Sequence, residues 1–352
     1  MRSASGRPLT IAFGVAVVII ATAWPGSTAS RPPAAALDIT RFLTADVGFS
    51  AAELKRLERG EVVAKGLRAD DASVAIVTAA LMAIPSEFFL ARFRQIEQFK
   101  KSAEVQQIGR LGGSPGAREL EGLTLETSEL KDARRCRVGD CAFKLDAAGI
   151  NRLTATRDDQ TAIAALRAHL AEYAAAYLQK GNAALMEYND RSRPLAMTDQ
   201  IQRILADSPY LQRDWPALYA GIGVFAGTLA PGLEHFVYWS KEKVGPRPVV
   251  SLTHAIISPP RDGVAVVATK QLYASHYTTG SLGLTVLADR SGDNGPRTFV
   301  VYINRTRVDV FDGVLGALKR PIVRSRARSG AERMLTGLRA RLESDFERDG
   351  KW

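Results

Sequence analysis

The chain has 352 residues, 46% hydrophobic and 24% charged, with a net charge of +10 and an isoelectric point near 9.7. Such a content supports a sizeable core, in one large domain or two ordinary ones. Two cysteines leave no Cys-x-x-Cys redox pair and no Cys-x-x-Cys-His haem signature, and nothing beyond residue 30 is long and apolar enough to span a bilayer.

The N-terminus reads as an address. Arg2 and Arg7 precede an apolar run from Leu9 to Trp24, and Ser27-Thr28-Ala29 offers small residues for cleavage. This is the layout of a secretory signal over residues 1–29, cleaved near Ala29. The alternative is retention as an N-terminal anchor with Arg7 on the positive-inside flank. Export redirects the meaning of the basic charge. Anionic lipid or envelope polymer becomes the expected counter-surface, and nucleic acid does not.

Residues 30–49 read as a linker beginning with the mobile stretch RPPAAA. Ser50 to Glu53 forms a capping box and Gly60 a helix stop, so a short helix is predicted between them. Glu61–Lys65 and Ser73–Ile84 read as strands. Pro85–Ile96 reads as a helix opened by proline, with Phe88, Phe89 and Phe93 as apolar anchors. Val105–Leu111 is a strand candidate ending at the Gly112–Gly116 loop. That loop lacks the Gly-Lys-Ser/Thr ending of a phosphate cradle, and no motif in the chain implies a cofactor.

Residues 120–230 read as a largely helical region. Cys136 and Cys141 flank the turn signal Val138-Gly139-Asp140 and are expected to form a local disulfide in an oxidising compartment. Asp158–Tyr188 is predicted as the longest helix, with Gly181 bending or dividing it, and Thr198–Ala206 as another.

From residue 231 the period changes to two. Strands are predicted at His235–Glu242, Val249–Ile257, Val264–Tyr277, Leu282–Ala288 and Thr298–Val308, with turns at Pro259-Pro260 with Gly263 and at Thr279-Gly280. Parity along the third places Lys270 and His276 on one face and Tyr273 on the other. A helix over Ala331–Phe346 comes last, with Leu335, Leu338 and Leu342 on one stripe. The whole is an α+β fold: an antiparallel curved sheet (residues 50–119 and 231–348) with a C-terminal helix packed on it, plus the inserted helical region.

This order, an early strand, a Pro-started helix, a meander and a terminal amphipathic helix, resembles the helix-grip fold of the START and polyketide-cyclase-like superfamily. The resemblance covers Ser73–Leu111 and Glu234–Phe346, and it implies a cavity for an apolar or lipid-like ligand more firmly than it implies a reaction. Tyr238, His254, Lys270, Tyr273, His276, Tyr302 and Asn304 are the expected ligand contacts. The alternatives are an enzyme using Tyr273, His276 and Asn304, and a non-catalytic interaction protein. No His-x-x-x-His or His-Glu-x-x-His spacing implies a metal, and Ser275-His276 has no third partner in evidence. Arg305, Arg307, Lys319, Arg320, Arg324, Arg326 and Arg328 form a basic tract expected to meet anionic headgroups or to lie as a solvated loop.

Overall fold

The computed structural model describes residues 37–290, 295–311 and 316–349. The expected signal segment, residues 1–29, lies outside them. In chain order the elements are α1 (Ile39–Arg41), a π-helical turn (Phe42–Asp46), α2 (Ala51–Glu58), β1 (Val63–Gly66), β2 (Ser73–Met82), α3 (Ser86–Arg94), α4 (Ile96–Phe99) and β3 (Val105–Leu111). Next come α5 (Thr127–Arg134), α6 (Ala147–Thr154), α7 (Asp159–Lys180), β4 (Glu187–Tyr188), β5 (Leu195–Ala196), α8 (Met197–Ala206), α9 (Pro209–Asp214) and α10 (Pro216–Gly223). The meander β6 (Glu234–Glu242), β7 (Val249–Arg261), β8 (Val264–Ala274), β9 (Thr278–Arg290) and β10 (Arg297–Val308) leads into α11 (Gly316–Asp349).

Eight strands form one curved, open sheet in the order β1-β2-β10-β9-β8-β7-β6-β3, antiparallel throughout. The α+β class and the C-terminal helix over the sheet are as the sequence predicts. The inner face of the sheet carries α3, α4 and α11. There Phe88, Phe93, Leu335 and Leu342 pack on Ala265, Val267, Leu287 and Val300. The outer face is covered by the helices between β3 and β6 together with the N-terminal segment. Both faces being covered explains why the central strands read as near-continuous apolar runs.

Local chemistry accounts for most boundaries. Ser50 and Glu53 complete the capping box: the Glu53 N–H donates to Ser50 Oγ at 3.2 Å, and the Ser50 N–H donates to Glu53 Oε2 at 2.8 Å. Residues 37–49 are not a linker. Phe42, Leu43, Val47 and Phe49 are buried, with Phe42 edge-on to Tyr210 and Trp215. α7 stops at Gly181, which has φ +63°; a Cβ there would lie 1.9 Å from the Phe225 carbonyl oxygen, so only glycine fits.

Two predicted turns are strand. β7 runs through Pro259-Pro260 because the pairing with β8 is irregular between Ser258 and Arg261, where ladder donors are dispensable. The chain reverses at the Gly263 end of that predicted turn, at Asp262-Gly263, both with positive φ. Gly280 lies inside β9. Its missing side chain admits α8, since a Cβ would sit 3.0 Å from Gln200 Cβ. The reversal falls at Ser275–Tyr277, where Tyr277 takes φ +62°. The terminal helix also begins earlier than Ala331. The stretch Lys319–Arg328 is its first half, held down by Arg324 donating to the backbone oxygens of Asp70 and Ser73.

Candidate functional site

A trough on the inner face is the candidate site, and the sheet register builds it. Three adjacent cross-strand rows run Tyr238–Thr253–Gln271, Ala255–Thr269–Gly283–Asn304 and Val267–Thr285–Tyr302–Thr78. Thr253, Thr269, Thr285, Tyr302 and Asn304 are half-buried, whereas the residues flanking Thr253, Thr269 and Thr285 on their own strands are buried. These positions lie on interior strands, so their partial exposure marks an opening on this face of the sheet. The other end of the face is closed by the phenylalanines of α3 and the leucines of α11.

The trough wall is ordered by hydrogen bonds. Lys100 Nζ donates to Glu242 Oε1 at 2.6 Å, Ser240 Oγ donates to the same oxygen at 2.6 Å, and Ser240 and Ser251 share a bond of 3.1 Å. Lys100 also lies 5.3 Å from the Tyr238 ring centroid. Burial works against its charge, but Tyr238 and Glu242 together hold its pKa above the ordinary lysine value. The side chains of Lys100 and Glu242 keep 26% and 22% exposure. At the far side Thr306 Oγ1 donates to Asn304 Oδ1 at 2.7 Å and pairs with Ser281 at 2.7 Å.

Gly283 sets the depth of the floor. A Cβ there would meet Thr269 Oγ1 at 2.4 Å and the Tyr302 ring at 3.2 Å, so the glycine lets the tyrosine lie across the strand. Burial pushes the Tyr302 hydroxyl up to about 12, so it stays a neutral donor. Two polar atoms on this face, Thr78 Oγ1 and Gln271 Oε1, are buried with no partner among the described residues. The arrangement offers aromatic surface, hydroxyls, two side-chain amides and one lysine–glutamate pair.

The seven expected ligand contacts divide between the faces. Tyr238, Tyr302 and Asn304 belong to the trough. His254, Lys270 and Tyr273 lie on the outer face beneath the helices. The parity reading that separates Tyr273 from Lys270 fails at a β-bulge. Leu252 pairs with Tyr273 and Thr253 with Gln271, so Leu272 is the extra residue and turns Tyr273 to the face that Lys270 occupies. An enzyme that needs Tyr273, His276 and Asn304 together does not fit this geometry.

The outer-face residues form a polar chain, buried at Lys270, His254 and Tyr177. Lys270 is fully buried and donates to Asn182 Oδ1 at 2.7 Å and the Ile222 carbonyl at 3.0 Å, 5.0 Å from the Tyr177 ring centroid. Burial brings its pKa down to about 7. His254 Nδ1 lies 2.8 Å from the Tyr177 hydroxyl and its Nε2 lies 3.0 Å from His235 Nδ1. With Tyr177 donating inward and His254 Nε2–H donating to His235, the contacts along this chain are satisfied by neutral rings. Burial holds both histidines below the ordinary value, His254 far below.

His276 is buried in the β8–β9 turn, edge-on to Phe143. Burial first, and then Arg247, lower its pKa to about 4. Ser275 Oγ accepts from the Val250 N–H at 3.0 Å.

Four residues of the basic tract serve the fold. Arg305 and Arg307 reach back to Arg68, Asp70 and Ser73, Arg320 to Asp71, and Arg324 to Asp70 and Ser73, all around the β1–β2 turn. Lys319, Arg326 and Arg328 are exposed on α11. Cys136 and Cys141 form the expected disulfide, with Cα atoms 4.5 Å apart.

Sequence reasoning misses Lys100 and the three threonines of the trough. The available signal is polar residues recurring at one parity within otherwise apolar strands. No family model and no curated protein matches the sequence.

Proposed function

We propose that this chain is an exported binding protein for an amphipathic, lipid-like small molecule held between the curved sheet and α11. The observation that carries the reading is the partly exposed polar centre of the inner face: Thr253, Thr269, Thr285, Tyr302 and Asn304 are half-buried on interior strands of the sheet. A solid core in that place would leave their hydroxyls and amide desolvated, at about 1–3 kcal/mol for each unsatisfied group. The strand order lends support to a helix-grip relationship. β2 sits beside β10, β3 lies at the far edge, and short α3 and α4 come after the first long strand. On that reading β1 is an added edge strand and residues 112–233 an insertion on the outer face.

The disulfide is compatible with an oxidising compartment and supports export. Exposed Lys319, Arg326 and Arg328, with Leu318 and Ile322 exposed beside them, support contact with an anionic surface near the trough. The test is native purification followed by mass spectrometry of the extracted small molecules, with Thr269→Trp as the blocking variant. The wild type should carry a molecule that Thr269→Trp lacks, with the far-UV spectrum unchanged. A wild type that retains nothing, before or after incubation with envelope lipid extract, refutes the reading.

A further inference from the structure

A second cavity lies at the opposite end of β9 and β10 from the Asp262-Gly263 reversal. It encloses about 120 Å3, and its charged lining is Lys144, Asp190, Arg191, Arg193, Arg307 and Asp309. Gln200 of α8 and Thr279 of β9 add neutral polar groups.

The charges are not equivalent. Lys144 Nζ bridges both carboxylates, at 3.2 Å from Asp190 and 2.5 Å from Asp309, and Arg191 reaches Asp309 at 3.1 Å. The two acids are thus committed to cations of the wall. Arg307, only 9% exposed, is fixed on three sides. Its Nε donates to Gln200 Oε1 at 2.8 Å, and its Nη1 donates to Asp70 Oδ2 at 2.7 Å and Ser73 Oγ at 3.1 Å. Its Nη2 has no protein acceptor among the described residues, and neither has the exposed Arg193. The loop carrying Asp190 to Arg193 is itself pinned by the disulfide turn. The Gly139 N–H donates to the Asn189 oxygen at 2.8 Å and the Cys141 N–H to the Asp190 oxygen at 2.9 Å.

A buried, pre-oriented guanidinium, a second arginine at the mouth and a hydroxyl on the wall are the elements of oxyanion recognition. With Asp70 counted on Arg307, four cations face three carboxylates, and the one-charge surplus gives the sign. We propose that this cavity is a binding site for a small oxyanion, a phosphate group or a carboxylate, held by Arg307 and Arg193 with Thr279 donating. It is independent of the trough, and its failure would leave the trough reading untouched.

The probe is inorganic phosphate titrated calorimetrically into the full chain at constant ionic strength set with chloride, with acetate as the parallel arm. Saturable phosphate binding is expected, weakened at least tenfold by Arg193→Glu and several-fold by Thr279→Val, each variant checked for an unchanged far-UV spectrum. Phosphate binding without acetate binding assigns a tetrahedral oxyanion, and binding of both assigns carboxylates as well. No saturable heat beyond the chloride control overturns the proposal. So does phosphate binding that both variants leave unchanged.

Discussion

Replacing Lys270 by methionine should remove an alkaline gain in stability that the wild type shows. The amine is fully buried, and burial brings its pKa from the ordinary 10.5 to about 7. Between those values the unfolded chain holds a proton that the folded chain has released. Stability therefore rises with pH across that window and is lost as pH falls through 7. At about 1.36 kcal/mol per pH unit, the rise between pH 6.5 and 9 is roughly 2–3 kcal/mol from this group alone. Methionine keeps the length and the apolar stem and removes the titration. It also leaves Asn182 Oδ1 without this donor, a pH-independent cost of about 1–3 kcal/mol, while the Ile222 carbonyl keeps the Asn182 Nδ2 donor at 3.0 Å. Urea unfolding of both proteins at pH 6.5, 7.5 and 9, monitored by far-UV circular dichroism, separates the two effects. The curves should diverge toward pH 9, with the wild type gaining about 2–3 kcal/mol more than Lys270→Met. Parallel curves would refute the reasoning. They would mean that two carbonyl-type acceptors and the faces of Tyr177 and Phe225 sustain a charged ammonium in place.

His276, lowered to about 4 by burial and Arg247, works on the acid side. Its unfolded form takes up a proton below about 6.5, so stability falls from there toward pH 4 by roughly 3 kcal/mol; His276→Asn should flatten that limb in acid titrations monitored by tryptophan fluorescence, and an unchanged limb would count against it. Gly283→Val should push Tyr302 and Thr269 apart, costing about 1–3 kcal/mol in urea unfolding and abolishing ligand retention in the trough. Retention at the wild-type level would show that the ligand does not rest on this floor.

The fold is readable wherever a single period governs a segment. The meander strands are rich in β-branched residues, and β3 falls at its predicted place, Val105–Leu111. Misreadings come where a breaker has a distant cause. Pro259-Pro260 sits at a pairing irregularity and Gly280 beneath α8, and neither partner is visible locally. The charge of Lys319–Arg328 hides a helix whose anchors are carbonyls of the β1–β2 turn. Tyr238, Tyr302 and Asn304 can be found because polar tips inside strands stand out. Tyr273 is misplaced by the one-residue bulge at Leu272. Thr253, Thr269 and Thr285 escape because threonine is an ordinary strand former and looks the same on a wall as on a surface. Lys100 comes to the trough from a loop, which no parity argument reaches.

The disulfide closes so short a loop, five residues in sequence, that it constrains the unfolded chain little. Its influence is local: it fastens the strand of backbone that carries Asp190 and Arg191. A thiol reductant should therefore leave bulk unfolding and trough occupancy nearly as they were while loosening phosphate capture, a dissociation that calorimetry with and without reductant measures directly. Reduced protein would then be folded yet unresponsive to anions, and oxidation of the cysteine pair would restore the response.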